Sequence, residues 1–106
     1  MKKLFISMPM SGMSREEIAV RMAEAKIDAE RIVGEPMELI DSVFDYESGI
    51  SNPVEYIGKA IIAMSQADHV YFAVGWKNAR GCRVEHVVAV SYDMSILDEN
   101  MEALNG

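Results

Sequence analysis

The chain has 106 residues, of which 50% are hydrophobic and 25% are charged, and this composition predicts one soluble globular domain over residues 1–106. Its net charge of −7 argues against a nucleic-acid surface and against a membrane-surface protein, because both classes bind through clustered cations. The single cysteine excludes an internal disulfide and favours a reducing cytoplasm. No stretch is long and apolar enough to predict a transmembrane helix.

The sequence carries no motif for a bound metal or a standard cofactor. One cysteine and two histidines do not make up a zinc-ligand pattern. Neither a phosphate-binding P-loop nor a G-x-G-x-x-G fingerprint is present. We therefore expect a site built from side chains alone, with neither metal nor cofactor.

The first third of the chain reads as a strand followed by a helix. Residues 3–7 are mostly apolar and predict the central strand of a parallel sheet, which Pro9 ends. Ser14 with Glu17 three residues later is the pattern of a capping box at a helix start. Apolar residues then recur at helical spacing until Gly34 stops the helix.

The middle of the chain predicts a second strand and a second helix. Residues 37–40 form the strand pattern, and Asn52 followed by Pro53 is a strong helix start. The connection between them, residues 41–52, is long, and long loops are often binding elements. Its apolar residues suggest a surface for a partner, and they are Val43, Phe44, Tyr46 and Ile50.

The last third predicts strand, loop, helix and strand. Residues 69–74 are β-branched and aromatic, which is typical of a buried strand, and Gly75 ends it. Residues 76–81 form a loop that ends in a glycine, and a third helix opens near Gly81. Residues 94–97 predict a short fourth strand. The alternation predicts an α/β fold of the flavodoxin or Rossmann type, with strand order 2-1-3-4 and helices on both faces.

This strand order places the carboxyl ends of the first and third strands side by side, where α/β proteins bind ligands. A glycine in the first loop allows a ligand to approach the backbone, and cations in the second loop can meet a phosphate. A loop tryptophan is either a core residue or a surface on which a base stacks. The candidate binding residues are Ser7, Pro9, Ser11, Gly12, Trp76, Lys77, Asn78, Arg80 and Gly81. Glu85, expected in the first turn of the third helix, would be kept ionised by the helix dipole.

Three segments together resemble the nucleoside 2-deoxyribosyltransferase-like proteins. Residues 5–12, F-I-S-M-P-M-S-G, are similar to the family's opening Y-I-S-G-P-M-T-G. Residues 67–70, A-D-H-V, are similar to its A-D-x-V, and residues 81–89 to its helix with E-x-x-x-A. The segment G-C-R-V-E-H also resembles a small uncharacterised bacterial and phage branch with G-W-x-x-S-x-G-C-x-x-E-H.

The resemblance implies cleavage or transfer at the N-glycosidic bond of a nucleoside or nucleotide, with Glu85 as the nucleophile. It also implies Asp68 as an acidic residue near the base, Ser11 and Gly12 in the loop that approaches the sugar or its 5′ substituent, and a homodimer or larger homo-oligomer. Phe5 replaces the family's tyrosine, whose hydroxyl orients the nucleophile, and this replacement predicts a slow enzyme.

Other interpretations stay open at this point. Asp68 also suits a turn that begins the third strand, and this end of the strand is far from the expected cleft. His86 points about 100° away from Glu85 on the helix and is expected at the surface or an interface. Cys82 is expected to be a small buried residue rather than a reactive thiol. The alternatives to an enzyme are a nucleotide-sequestering module and a structural or interaction protein.

Overall fold

The computed structural model describes residues 1–42 and 52–104 and contains one parallel sheet. Its strands are β1 (Lys2–Ser7), β2 (Met37–Leu39), β3 (His69–Phe72) and β4 (Ile96–Asp98). They lie in the order β2-β1-β3-β4, and every neighbouring pair is parallel. The predicted strand order 2-1-3-4 is therefore confirmed, with β1 and β3 paired in the middle of the sheet.

Three helices connect the strands: α1 (Arg15–Val33), α2 (Pro53–Met64) and α3 (Arg80–Ser91). Ser14 and Glu17 form the predicted capping box of α1, and the Asn52 side chain caps α2. Both predicted helix starts are confirmed. The third helix begins at Arg80, next to the predicted position, and a 3₁₀ turn (Trp76–Asn78) precedes it.

The side chains of β1 alternate between two cores, one on each face of the sheet. Leu4 and Ile6 pack with the apolar face of α1, whereas Phe5 packs with buried residues of α2 and α3. These three β1 side chains are at most 1% exposed, and each contributes about 1.5–3 kcal/mol by leaving water. Helices thus cover both faces, as the α/β prediction requires.

Two predicted strand boundaries were wrong by two residues. β3 ends at Phe72 rather than at residue 74, because Gly75 takes a positive φ of 86° and the chain turns into the 3₁₀ segment. β4 begins at Ile96 rather than at residue 94, because the Met94 N–H donates to the Ala89 carbonyl at the end of α3. The apolar group predicted in the long connection lies in residues 43–51, outside the described residues.

Candidate functional site

The site is organised around a buried hydrogen bond between β1 and α3. Ser7, the last residue of β1, donates its hydroxyl to Oε1 of Glu85 over 2.6 Å. Ser7 is 1% exposed and Glu85 is 7% exposed. Ser7 follows Phe5 by two positions, so it faces the same side of the sheet, where α3 packs. A carboxyl group is thereby fixed at the carboxyl edge of the central strand.

Burial raises the pKa of Glu85 to about 7, and the hydrogen bond from Ser7 opposes this rise. The expectation that the helix dipole keeps this group ionised was therefore wrong. Glu85 is the sixth residue of α3, beyond the first turn in which free N–H groups stabilise an anion. Desolvation prevails there, and both the acid and the carboxylate are populated at neutral pH.

The loss of the family tyrosine at Phe5 does not leave the carboxyl group without an orienting hydroxyl. The Phe5 ring is buried and contributes to the cavity wall, while Ser7 supplies a hydroxyl from two residues further along the same strand. The loss of the tyrosine was expected to leave Glu85 without an orienting group, and this expectation was wrong. Ser7 and Glu85 are 78 positions apart, so their hydrogen bond becomes visible only in the folded sheet.

Glu85 lies in the wall of an open cavity of about 1140 Å³, at the carboxyl edge of the sheet and beside the starts of α2 and α3. Both predicted loops reach it. The predicted residues that the structure brings together there are Ser7, Pro9, Ser11, Gly12, Asn78, Arg80, Gly81 and Glu85. Within the described part of the chain, the wall is otherwise mainly apolar, and its charged side chains are Arg80 and Glu85.

The cavity wall also contains three residues with a hydroxyl or thiol group that were not among the predicted site residues: Ser42, Tyr56 and Cys82. Ser42 follows β2 and is 4% exposed, and its Oγ has no hydrogen-bond partner among the described residues. Its position after a strand, at the ligand-binding edge, was the sequence signal that could have identified it. Tyr56 lies in α2, where the helix pattern alone gives no reason to expect contact with a ligand.

Cys82 fills the space beside Ser7 and Glu85 as an unreactive thiol. It is 3% exposed, and burial raises the pKa of the thiol, with the negative charge of Glu85 adding to the effect. A neutral thiol is a poor nucleophile. The interpretation of Cys82 as a small buried residue agrees with this environment.

Asp68 lies at the opposite edge of the sheet from Glu85. It immediately precedes β3, and its Oδ2 accepts a hydrogen bond of 2.7 Å from the backbone N–H of Lys3 in β1. Asp68 does not line the cavity, so the structure separates the two residues predicted to be catalytic. Its contact instead joins the amino-terminal ends of the two central strands.

Trp76 and Lys77 also lie outside the cavity wall. The Trp76 ring stacks on His86 with a centroid distance of 4.1 Å and contacts Phe72, while the Lys77 amino group lies 5.8 Å from the Trp76 ring. His86 thus occupies one face of the indole, and the ring does not line the cavity. His86, expected at the surface or an interface, is half-buried in this stack.

The described residues contain neither a candidate metal site nor a helix that could span a membrane. Residues 1–42 and 52–104 contain no group of three His, Cys, Asp or Glu side chains placed to hold a metal ion. None of the helices in these ranges combines the length and the apolar character needed to cross a membrane.

Comparison with known proteins gives one match. No curated protein and no solved structure matches the chain. A family model described as "Domain of unknown function (DUF4406)" matches residues 2–98. This range runs from the start of β1 to the end of β4 and includes both loops of the cavity. The chain therefore belongs to the DUF4406 family.

Proposed function

We propose that the protein binds a nucleoside or nucleotide in the cavity and cleaves or transfers its N-glycosidic bond, with Glu85 as the nucleophile. The observation that carries the proposal is the buried Glu85 carboxyl group, held by Ser7 over 2.6 Å in the cavity wall. Buried ionisable groups with shifted pKa values are found disproportionately at catalytic sites. The resemblance of residues 5–12 and 81–89 to nucleoside 2-deoxyribosyltransferase-like proteins supports the same assignment.

The proposed chemistry uses the ionised form of Glu85. One carboxylate oxygen forms a bond to the anomeric carbon as the bond between that carbon and the base breaks. The base leaves with the bonding electrons and gains a proton. Water, or a second base, then attacks the anomeric carbon and restores the carboxylate. Because Ser7 holds Oε1, the oxygen available to the sugar is Oε2, which has no hydrogen-bond partner among the described residues.

The position of Asp68 favours a second candidate, a nucleotide-binding module without turnover. Glycosidic cleavage commonly uses one carboxylate as nucleophile and a second carboxyl group as proton donor. Among the described residues that line the cavity, Glu85 is the only one with a carboxyl group. The leaving base would then depend on Asn78, a neutral hydrogen-bond donor in the cavity wall, or on a residue of a neighbouring subunit.

The deciding experiment measures free base by chromatography after incubation with a panel of deoxynucleosides and their 5′-monophosphates. We expect base release by the wild type, rising as pH is raised through about 7 because only the carboxylate form of Glu85 reacts. We expect Glu85→Gln to reduce base release at least about a hundredfold while ligand binding remains, because the amide keeps the shape but cannot attack.

The matched control is Glu38→Gln, which changes an exposed glutamate of β2 in the same way. Base release by Glu85→Gln at the rate of this control would refute the nucleophile assignment. Binding of the panel without release of base by the wild type would favour the sequestering module.

We further propose that the protein acts in the cytoplasm as a homodimer or larger assembly. The cytoplasmic assignment rests on the single cysteine, which is a buried thiol. The assembly rests on the family resemblance and on the apolar residues predicted in the long connection. Light scattering at high protein concentration tests it, and a monomer mass there would contradict it.

A further inference from the structure

The first turn of α3 presents unused hydrogen-bond donors to the cavity. Ala79 occupies the cap position of α3 and supplies no side-chain hydrogen bond. The first backbone bond of the helix runs from the Arg83 N–H to the Ala79 carbonyl. The N–H groups of Arg80, Gly81 and Cys82 therefore have no acceptor among the described residues, and all three residues line the cavity.

Arg80 adds a full positive charge at the same place. Its side chain lines the cavity and is exposed, and it forms no ion pair within the described part of the chain. Three free N–H groups and a guanidinium form a set of donors that matches a tetrahedral oxyanion.

An independent feature of the cavity indicates that it holds a polar ligand. The Ser42 Oγ is buried and has no hydrogen-bond partner within residues 1–42 and 52–104, and the Ser42 side chain lines the cavity. Burying a hydroxyl without a partner costs about 1–3 kcal/mol, so such groups in native proteins usually have a partner. A ligand oxygen or nitrogen in the cavity would provide this partner.

We propose that the ligand is a 5′-phosphorylated nucleotide, with its phosphate against Arg80 and the first turn of α3, and that Ser42 contacts another polar group of the same molecule. This inference rests on the proposed function for the identity of the rest of the ligand. The spacing along α3 agrees with it, because Glu85 follows Arg80 by five residues, or about 7.5 Å along the helix axis. That separation is of the same order as the distance from a 5′-phosphate to the anomeric carbon across the sugar.

The test compares the affinity of the protein for each deoxynucleoside and for its 5′-monophosphate by calorimetry. For the wild type we expect the best monophosphate to bind at least about tenfold more tightly than its nucleoside, since charge-assisted hydrogen bonds contribute more than neutral ones. Inorganic phosphate should compete with the monophosphate. Arg80→Gln should reduce the preference to about twofold or less, and Ser42→Ala should weaken both ligands without removing the preference.

The matched control is Lys77→Gln, which removes a cation from the same loop but outside the cavity wall. It should keep the preference of the wild type. Three outcomes would each overturn the phosphate assignment. They are equal binding of nucleoside and monophosphate, no binding of either, and a monophosphate preference that is unchanged in Arg80→Gln. If only the proposed cleavage is wrong, the result differs from these three: the protein still prefers the monophosphate, but it releases no base.

Discussion

At each end of the central strands, a carboxyl group joins two elements that are distant in the chain. One of these groups is buried and the other is exposed to water. At the carboxyl edge, Glu85 is 7% exposed and receives one hydrogen bond from Ser7. At the amino edge, Asp68 is exposed to water and accepts a bond from the Lys3 backbone. The exposed carboxylate links two strands. The buried one reduces stability when it ionises, and the proposed function would account for its presence.

The comparison predicts that neutralising the buried carboxyl group stabilises the protein at alkaline pH. The pKa of Glu85 is about 7 in the folded chain against about 4.5 unfolded, so stability is full below pH 4.5 and falls as pH rises towards 7. Glu85→Gln removes this loss, which amounts to about 3 kcal/mol at pH 8.

Urea unfolding at pH 5 and pH 8 measures this effect. The wild type should lose stability between the two values through Glu85, and Glu85→Gln should not show this part of the loss. Glu38→Gln, on the exposed part of β2, should follow the wild type. Identical pH dependence in all three proteins would show that Glu85 titrates as an ordinary surface glutamate.

The second expected effect concerns Ser7, whose hydroxyl favours the charged form of Glu85. Ser7→Ala removes that donor, so the pKa of Glu85 rises further and the loss of stability extends to higher pH. We expect destabilisation of about 1–2 kcal/mol at pH 8 and less at pH 5. A double-mutant cycle with Glu85→Ala, which removes the acceptor, isolates the pair, and additive effects would contradict coupling between the two residues.

The smallest expected effect is at the other edge. Asp68→Ala removes an exposed hydrogen bond to the Lys3 N–H and should cost about 0.5–1 kcal/mol. Base release should be unchanged because Asp68 does not line the cavity. Glu102→Ala, at another exposed carboxylate, is the control for stability. A large loss of base release in Asp68→Ala would return this residue to the catalytic role that the sequence suggested.

Local sequence signals predicted the features that depend on a few neighbouring residues. The Ser14 and Asn52 caps and the apolar β1 and β3 strands follow from such patterns. Their alternation with helices predicts a parallel sheet, whereas the order 2-1-3-4 was chosen by analogy with flavodoxin-like folds. Glu85 and Arg80 were placed at the cavity because both follow β3 directly along the chain.

The features that the sequence did not predict depend on contacts across the fold. The Ser7 bond, and the burial that shifts the pKa of Glu85, exist only once α3 packs on β1. The sequence around Trp76 is compatible with stacking on a base and with stacking on His86. The packing of the 3₁₀ turn against α3 places the ring on His86. The start of β4 depends on the hydrogen bond from the Met94 N–H to the Ala89 carbonyl of α3, which the apolar pattern of residues 94–97 does not show.

The stack of Trp76 on His86 also gives the molecule a built-in optical signal. The chain has one tryptophan, so its indole fluorescence comes from a single ring, which lies at the contact between the 3₁₀ turn and α3. The same turn contains Asn78 and leads directly into Arg80, two residues of the cavity wall. Any occupant that moves this turn changes the surroundings of the indole ring, and its arrival can be followed in the unlabelled protein by fluorescence.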